Sequence, residues 1–328
     1  MPFVLKGARA LVTGGAGFIG SHLVDRLLDA GAARVVVLDD LSRGNLRNLT
    51  PALRSGRVDF IHGDIGDASL VNAAMKDIDV VFHQAALRIT QCAAEPVHAV
   101  TVMINGLQNV LESSVRHGVR KVVAASSASV YGEPDRLPMG EDHPFNNRTL
   151  YGALKIAGEQ MLRSYAEMHG LKYVSLRPFN VYGPRMDVHG VYTEVMIRWL
   201  ERLWEGLPPV ILGDGTQTMD FVYVKDAAEA YVMAAESDAE DVALNLGTGV
   251  ETSLRELCRR LCEQAGHGGV EPQHLPPRAV NPVTRRQAAI ERTHDAIGFR
   301  ARTSLDDGLR ALIDWHAAQR ADQIGRVA

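Results

Sequence analysis

The chain has 328 residues, 46% of them apolar, enough to enclose a large core and at least two structural lobes. A formal charge of −4 and a pI near 6.3 leave no basic face for nucleic acid or an anionic membrane, so an anionic ligand has to be held by a few placed arginines and main-chain amides. No apolar run approaches the roughly 18 residues that a membrane-spanning helix needs, and MPFVLKGARALVTGG leads into a strand pattern with no secretory leader.

In chain order, short runs rich in Val, Ile and Ala alternate with longer stretches of helical period. The runs are RALVTG (9–14), RVVVLDD (34–40), VDFIHGD (58–64), DVVFHQAA (79–86), KVVAASS (121–127) and YVSLRPFN (173–180). Between them lie helical patterns such as FIGSHLVDRLLDA and VHAVTVMINGLQNVLESSVRHG. The runs are apolar on consecutive residues, the pattern of strands buried on both faces. Strand–helix–strand repetition of this kind predicts an α/β fold, a doubly wound parallel sheet of the Rossmann type over residues 1–176.

From residue 177 to 328 the rhythm loosens into a smaller mixed α/β lobe, with parts of 218–248 expected to return to the first domain. The pattern predicts a helix over 192–205, short strands in LPPVILGDGTQTMDFVYV, and another strand at ALNLGTG (243–249). Ser253 is placed to cap the next helix, with Glu256 three residues on completing a capping box. The Gly- and Pro-rich stretch 266–282 reads as loop, and LDDGLRALIDWHAA as a closing amphipathic helix. Cys92, Cys258 and Cys262 have neither zinc nor redox spacing and read as reduced packing residues of a cytoplasmic protein. The 12 histidines show no metal-ligand spacing, and no metal site is expected.

TGGAGFIG (13–20) follows the first strand and opens the first helix. Glycine at 14, 17 and 20 permits a tight turn, a close approach of backbone to a pyrophosphate, and close packing of helix on strand. The helix N-terminus then offers N–H groups and the positive end of its dipole to the anion. The second strand ends in Asp39, where a carboxylate accepts hydrogen bonds from ribose hydroxyls and repels a 2′-phosphate, so NAD is expected over NADP. Asp40 adds negative charge, and Arg43 is the residue that argues the other way. Asp64 with Ile65, and HQAALR (83–88), end later strands at the same crevice. The expected cofactor contacts are Gly14, Gly17, Phe18, Ile19, Gly20, Asp39, Asp40, Ser42, Arg43, Asp64, Ile65, Ala85, Ala86 and Arg88, with Tyr151, Lys155 and Phe179.

SSASVYG (126–132) ends an apolar run, and YGALK begins at Tyr151. Tyr151 and Lys155 stand one helical turn apart and share a face. A free phenol titrates near 10 and is a poor base at neutral pH. A nearby ammonium and the positive nicotinamide ring are expected to lower it into the range of general-base work, with Ser127 bridging phenol and substrate oxygen.

In this order of glycine loop, acidic strand end, hydroxyl, tyrosine and lysine, the sequence resembles the extended short-chain dehydrogenase/reductases of the nucleotide-sugar epimerase and dehydratase group, above all the UDP-glucose 4-epimerases. The resemblance spans essentially the whole chain. It implies NAD retained through the catalytic cycle and a homodimer formed through the helices 95–117 and 151–169. It also implies a UDP-hexose oxidised at C4, turned over as the 4-keto sugar and reduced on its other face. Asn180, in RPFNVYGPR, matches a contact to the substrate diphosphate, and Arg278 matches a phosphate arginine.

Several positions depart from the group. Where its dehydratases carry Asp-Glu after the serine or threonine, this chain has Ala128 and Ser129, which disfavours dehydration. Reduction of a 4-keto sugar and decarboxylation of a uronic acid use the same Ser, Tyr and Lys and stand as alternatives. Met219 replaces a phosphate arginine, a role that passes to Arg185 or Arg198. Asn281 replaces an aspartate, and Met103 an asparagine near the ribose. Arg285 occupies the position that gates the sugar, or else is a solvated surface charge.

Overall fold

The computed structural model describes residues 3–188, 195–277 and 283–327. The first six strands are β1 (Arg9–Thr13), β2 (Arg34–Asp39), β3 (Val58–His62), β4 (Val80–His83), β5 (Lys121–Ala125) and β6 (Tyr173–Pro178). After them come β7 (Asn180–Tyr182), β8 (Val210–Leu212), β9 (Thr218–Tyr223), β10 (Val242–Leu246), β11 (Glu251–Ser253) and β12 (Gln273–Leu275). The main sheet has seven strands in the order β10-β6-β5-β4-β1-β2-β3, each pair parallel.

Consecutive residues of a strand point to opposite faces, and both faces of this sheet are covered. Val12, Val35, Val37 and Phe82 pack toward the helices Phe18–Asp29 and Val224–Glu236. Leu11, Val36, Leu38 and Val81 pack toward the helices Ala68–Ala74, Leu107–His117 and Leu150–His169. This two-sided burial is the reason the strands read as unbroken apolar runs.

A second core lies beyond β7, where Met196, Trp199 and Leu200 of the helix Val195–Trp204 meet Leu257 and Leu261 of the helix Leu254–Gln264. The remaining strands form two small sheets, β11-β9-β7 and β12-β8. Ser253 caps its helix by accepting from the Glu256 N–H (3.1 Å), but the Glu256 carboxylate turns to Arg259 and Arg260 and does not close a capping box. Within the expected loop, Gln273–Leu275 pairs with Val210–Leu212, because the edge of β8 offers unpaired backbone groups. The expected continuous helix 95–117 is divided at Pro96 and again by a π-helical turn over Thr101–Gly106. Cys92, Cys258 and Cys262 are buried and free. No helix among the described residues is long and apolar enough to cross a membrane.

Candidate active site

Strand order reverses between β1 and β4, and an open parallel sheet binds ligands beyond the carboxyl ends of its strands at such a point. A cleft of about 2150 Å³ lies there, well above the roughly 300–1,000 Å³ of a single small-ligand pocket. It has room for a dinucleotide and a second ligand together. The predicted contacts from Gly14 to Arg185 all line it.

The chain turns at Gly14 with φ +69°, and a side chain there would lie 2.8 Å from the Ala85 nitrogen. A Cβ on Gly20 would stand 2.2 Å from the Gly14 carbonyl oxygen, so the helix can start against the loop only without one. That helix has no side-chain cap and no acid in its first turn, which leaves its leading N–H groups to an anion. These features fit the pyrophosphate of a dinucleotide. At the end of β2, Asp39 is 6% exposed and accepts from the N–H groups of Ala16 (2.9 Å) and Leu41 (2.8 Å). Burial pushes its carboxyl up, while the two N–H groups hold it down. Arg43 forms an ion pair with Asp187, whose carboxylate also lies 4.0 Å from Arg88, joining the loops after β2, β4 and β7. The cation that would favour a 2′-phosphate is thus matched to a carboxylate.

Ser127 follows β5 and opens a short turn, its hydroxyl accepting from the Ser129 N–H (3.1 Å). Thr149 caps the helix Leu150–His169 through the Gly152 N–H (3.1 Å) and so aims Tyr151 at the cleft. The Ser127 hydroxyl stands near enough to the Tyr151 phenol to pull its pKa downward, and both line the cleft. Lys155 is buried, its ammonium donating to the Ala125 carbonyl at 2.5 Å and standing 5.8 Å from the Tyr151 ring centre. Burial lowers its pKa to about 8.

One electrostatic expectation is corrected. Burial raises the Tyr151 phenol and outweighs the influences that lower it, the Ser127 hydroxyl, Arg286 and Arg88, so the phenol is not brought down in the protein alone.

Ala128 is buried and Ser129 brings only a hydroxyl to the cleft lining, so the two positions after Ser127 bring no acid to the cleft. Arg185 lines the cleft, yet its guanidinium pairs with Asp25 at 2.7 Å. Met219 lines it too, as do Asn180 and Arg198. Met103 is buried against Cys92, sulfur to sulfur 3.7 Å. Arg278 and Asn281 fall outside the described residues. Arg285 also lines the cleft, pairing with Glu251 at 2.6 Å with its side chain 54% exposed.

Two features escaped the sequence reading. The next residue, Arg286, is 7% exposed and lines the cleft; only strand alternation hints that one arginine of the pair turns inward. The second is a buried network under Ser127, in which Ser126 donates to Glu159 at 2.5 Å and Glu159 takes a two-pronged pair from Arg177 (2.7 and 2.8 Å). Arg177 also donates to the Tyr131 hydroxyl (2.8 Å), which donates to Asn245 (2.6 Å). The network fixes the ends of β5, β6 and β10 relative to the helix of Tyr151.

The model of the NAD dependent epimerase/dehydratase family matches residues 10–247. A UDP-glucose 4-epimerase of Mycolicibacterium smegmatis is 40% identical over 311 residues, covering 94% of this chain and 98% of its own. Among solved structures, a UDP-N-acetylglucosamine 4-epimerase of Methanobrevibacter ruminantium in complex with UDP-N-acetylmuramic acid superposes with a TM-score of 0.90 at 33% identity, over 96% of this chain and 99% of its own. A UDP-glucose 4-epimerase of Thermus thermophilus, in complex with NAD, does so with a TM-score of 0.84 at 36% identity, over 94% and 99% of the two chains. With its glycine turn, acidic strand end and Ser–Tyr–Lys cleft, the chain belongs to the NAD-dependent epimerase/dehydratase family.

Proposed function

We propose that this protein interconverts the C4 epimers of a nucleotide-diphosphate hexose, with UDP-sugars as the substrate class. The carrying observation is that Ser127, Tyr151 and Lys155 line one cleft with room for both cofactor and substrate. The names of the relatives support uridine as the base.

NAD, when bound, supplies the acceptor that takes up the C4 hydride and the donor that gives it back to the other face of the 4-keto sugar, and sets a positive ring beside the phenol. The chain's own part is to move and hold a proton. Tyr151 takes it from the C4 hydroxyl, Ser127 bridges phenol and sugar oxygen, and Lys155 keeps a cation beneath the ring from its seat on Ala125. The 4-keto sugar then presents its other face, and Tyr151 returns the proton. Expelling water from the sugar would need a further acid and base, and a methyl at Ala128 and a hydroxyl at Ser129 supply neither. Asn180 and Arg198 hold the diphosphate in this scheme, a role that the family resemblance also gives to Arg278. Residues 1–176, with β10, serve the cofactor, and 177–328 the sugar nucleotide.

The reading includes a homodimer through the helices near 95–117 and 151–169, supported by the exposed Val97, Val100 and Met168 on them. Free cysteines support a cytoplasmic setting. Purified protein given a UDP-hexose and no added NADH should form the C4 epimer, followed by NMR. Stoichiometric consumption of added NADH would make it a reductase.

A further inference from the structure

Arg286 is held from both sides by its neighbours' backbone. Its own N–H donates to the Thr218 carbonyl (3.0 Å), and the Ala288 N–H donates to the Asp220 carboxylate (3.2 Å). Met139 then pairs along the next segment, its N–H donating to the Gln287 carbonyl (2.7 Å) and its carbonyl accepting from the Ala289 N–H (2.9 Å). The backbone that carries the guanidinium is therefore fixed on both sides.

It lies in the cleft wall with Nε and Nη2 buried and no hydrogen-bond partner for either among the described residues. The carboxylates around it are engaged. Glu133 accepts from the N–H and hydroxyl of Thr284, Glu251 pairs with Arg285, and Asp220 accepts from Thr248, Gly249 and Ala288. Burial lowers the pKa to about 10, so the group stays cationic at neutral pH, and its field reaches Tyr151 and Glu133. Burying a charge without a partner costs several kcal/mol. Nothing among the described residues pairs with this one, which points to a ligand that does.

A guanidinium fork matches the two oxygens of a carboxylate or phosphate. Its electrostatic coupling to Tyr151 places it by the reacting end of the substrate, where the sugar's own substituents lie. The carbon bearing C6 is bonded directly to C4, so a C6 carboxylate falls within reach of a cation beside the C4 base.

We propose that Arg286 is a specificity residue that pairs with a carboxylate on the hexose, so that nucleotide-diphosphate uronic acids are preferred over neutral hexoses. This rests on the nucleotide-sugar reading above. The test is calorimetric binding of UDP, UDP-glucose and UDP-glucuronate to the NAD-saturated protein, for the natural chain and for Arg286→Met and Arg286→Lys. A charge-assisted pair should make UDP-glucuronate bind about 10–100-fold tighter than UDP-glucose. Arg286→Met should bring the two within about threefold and leave UDP unchanged, while Arg286→Lys keeps part of the preference. Thermal melts should find Arg286→Met folded, since it removes an unpaired buried charge.

Equal binding of the two sugars by the natural chain overturns the proposal. So does an equal loss for UDP and both sugars in Arg286→Met, which would put the guanidinium on the diphosphate. Preferred binding of the uronate without any epimerisation would sustain this proposal and sink the catalytic one. Epimerisation of UDP-glucose without uronate preference would do the reverse, and binding of no UDP-sugar at all would sink both.

Discussion

The Lys155 ammonium donates to the main-chain carbonyl of Ala125 at 2.5 Å, tying the helix Leu150–His169 to the last residue of β5. The lysine is thereby positioned by the sheet rather than by the tyrosine. The folded protein releases this proton near pH 8 and the unfolded chain near 10.5. Between those values the unfolded chain binds more protons, so stability rises with pH. Below pH 8 the charged group weighs against folding by about 3 kcal/mol. Lys155→Met should lower turnover by about 10²–10⁴-fold. In thermal melts, the natural protein should gain on the variant as pH rises from 7 to 10, and a gap independent of pH would contradict the assignment.

Asp39 joins the glycine loop to the turn after β2 through Ala16 and Leu41. An amide cannot accept on both atoms. Asp39→Asn should weaken NAD binding by about 10–100-fold and narrow discrimination against NADP. Titration calorimetry with each dinucleotide checks this, and unchanged NAD affinity would remove Asp39 from the ribose site.

His83 ends β4, buried, with Nδ1 2.9 Å from the Thr13 hydroxyl. Burial drives its pKa down to about 3, so it stays neutral in the fold across the physiological range. The unfolded chain takes up this proton near 6.5. The contribution is therefore complete above that pH and is lost as pH falls toward 3, about 2 kcal/mol of it by pH 5. On acidification from pH 7 to 5 the natural protein should lose about 3 °C more in Tm than His83→Gln. Parallel losses would show that His83 already carries its proton in the fold.

Much of this was legible in the sequence for identifiable reasons. Strands covered on both faces must be apolar at successive positions, so the parallel sheet could be read from RVVVLDD and KVVAASS. Gly14 and Gly20 answer to backbone geometry that other residues cannot adopt, and Tyr151 and Lys155 to helical spacing. What escaped depended on register and partners. Choosing between Arg285 and Arg286 requires knowing that residue 285 bridges Thr218, a pairing between segments far apart in sequence. The Glu159–Arg177 pair and the seat of Lys155 on Ala125 are likewise long-range. The upward push on Tyr151 comes from burial, and burial is a property of the packed fold.

The central claim is that the Tyr151 oxygen carries the proton of the C4 hydroxyl. Tyr151→Phe keeps the ring and the packing and removes only that oxygen, so it should remain folded with NAD bound. By NMR of the C4 epimers of the preferred UDP-sugar, its turnover should fall at least about 10²-fold. Turnover at the level of the natural protein would contradict the account.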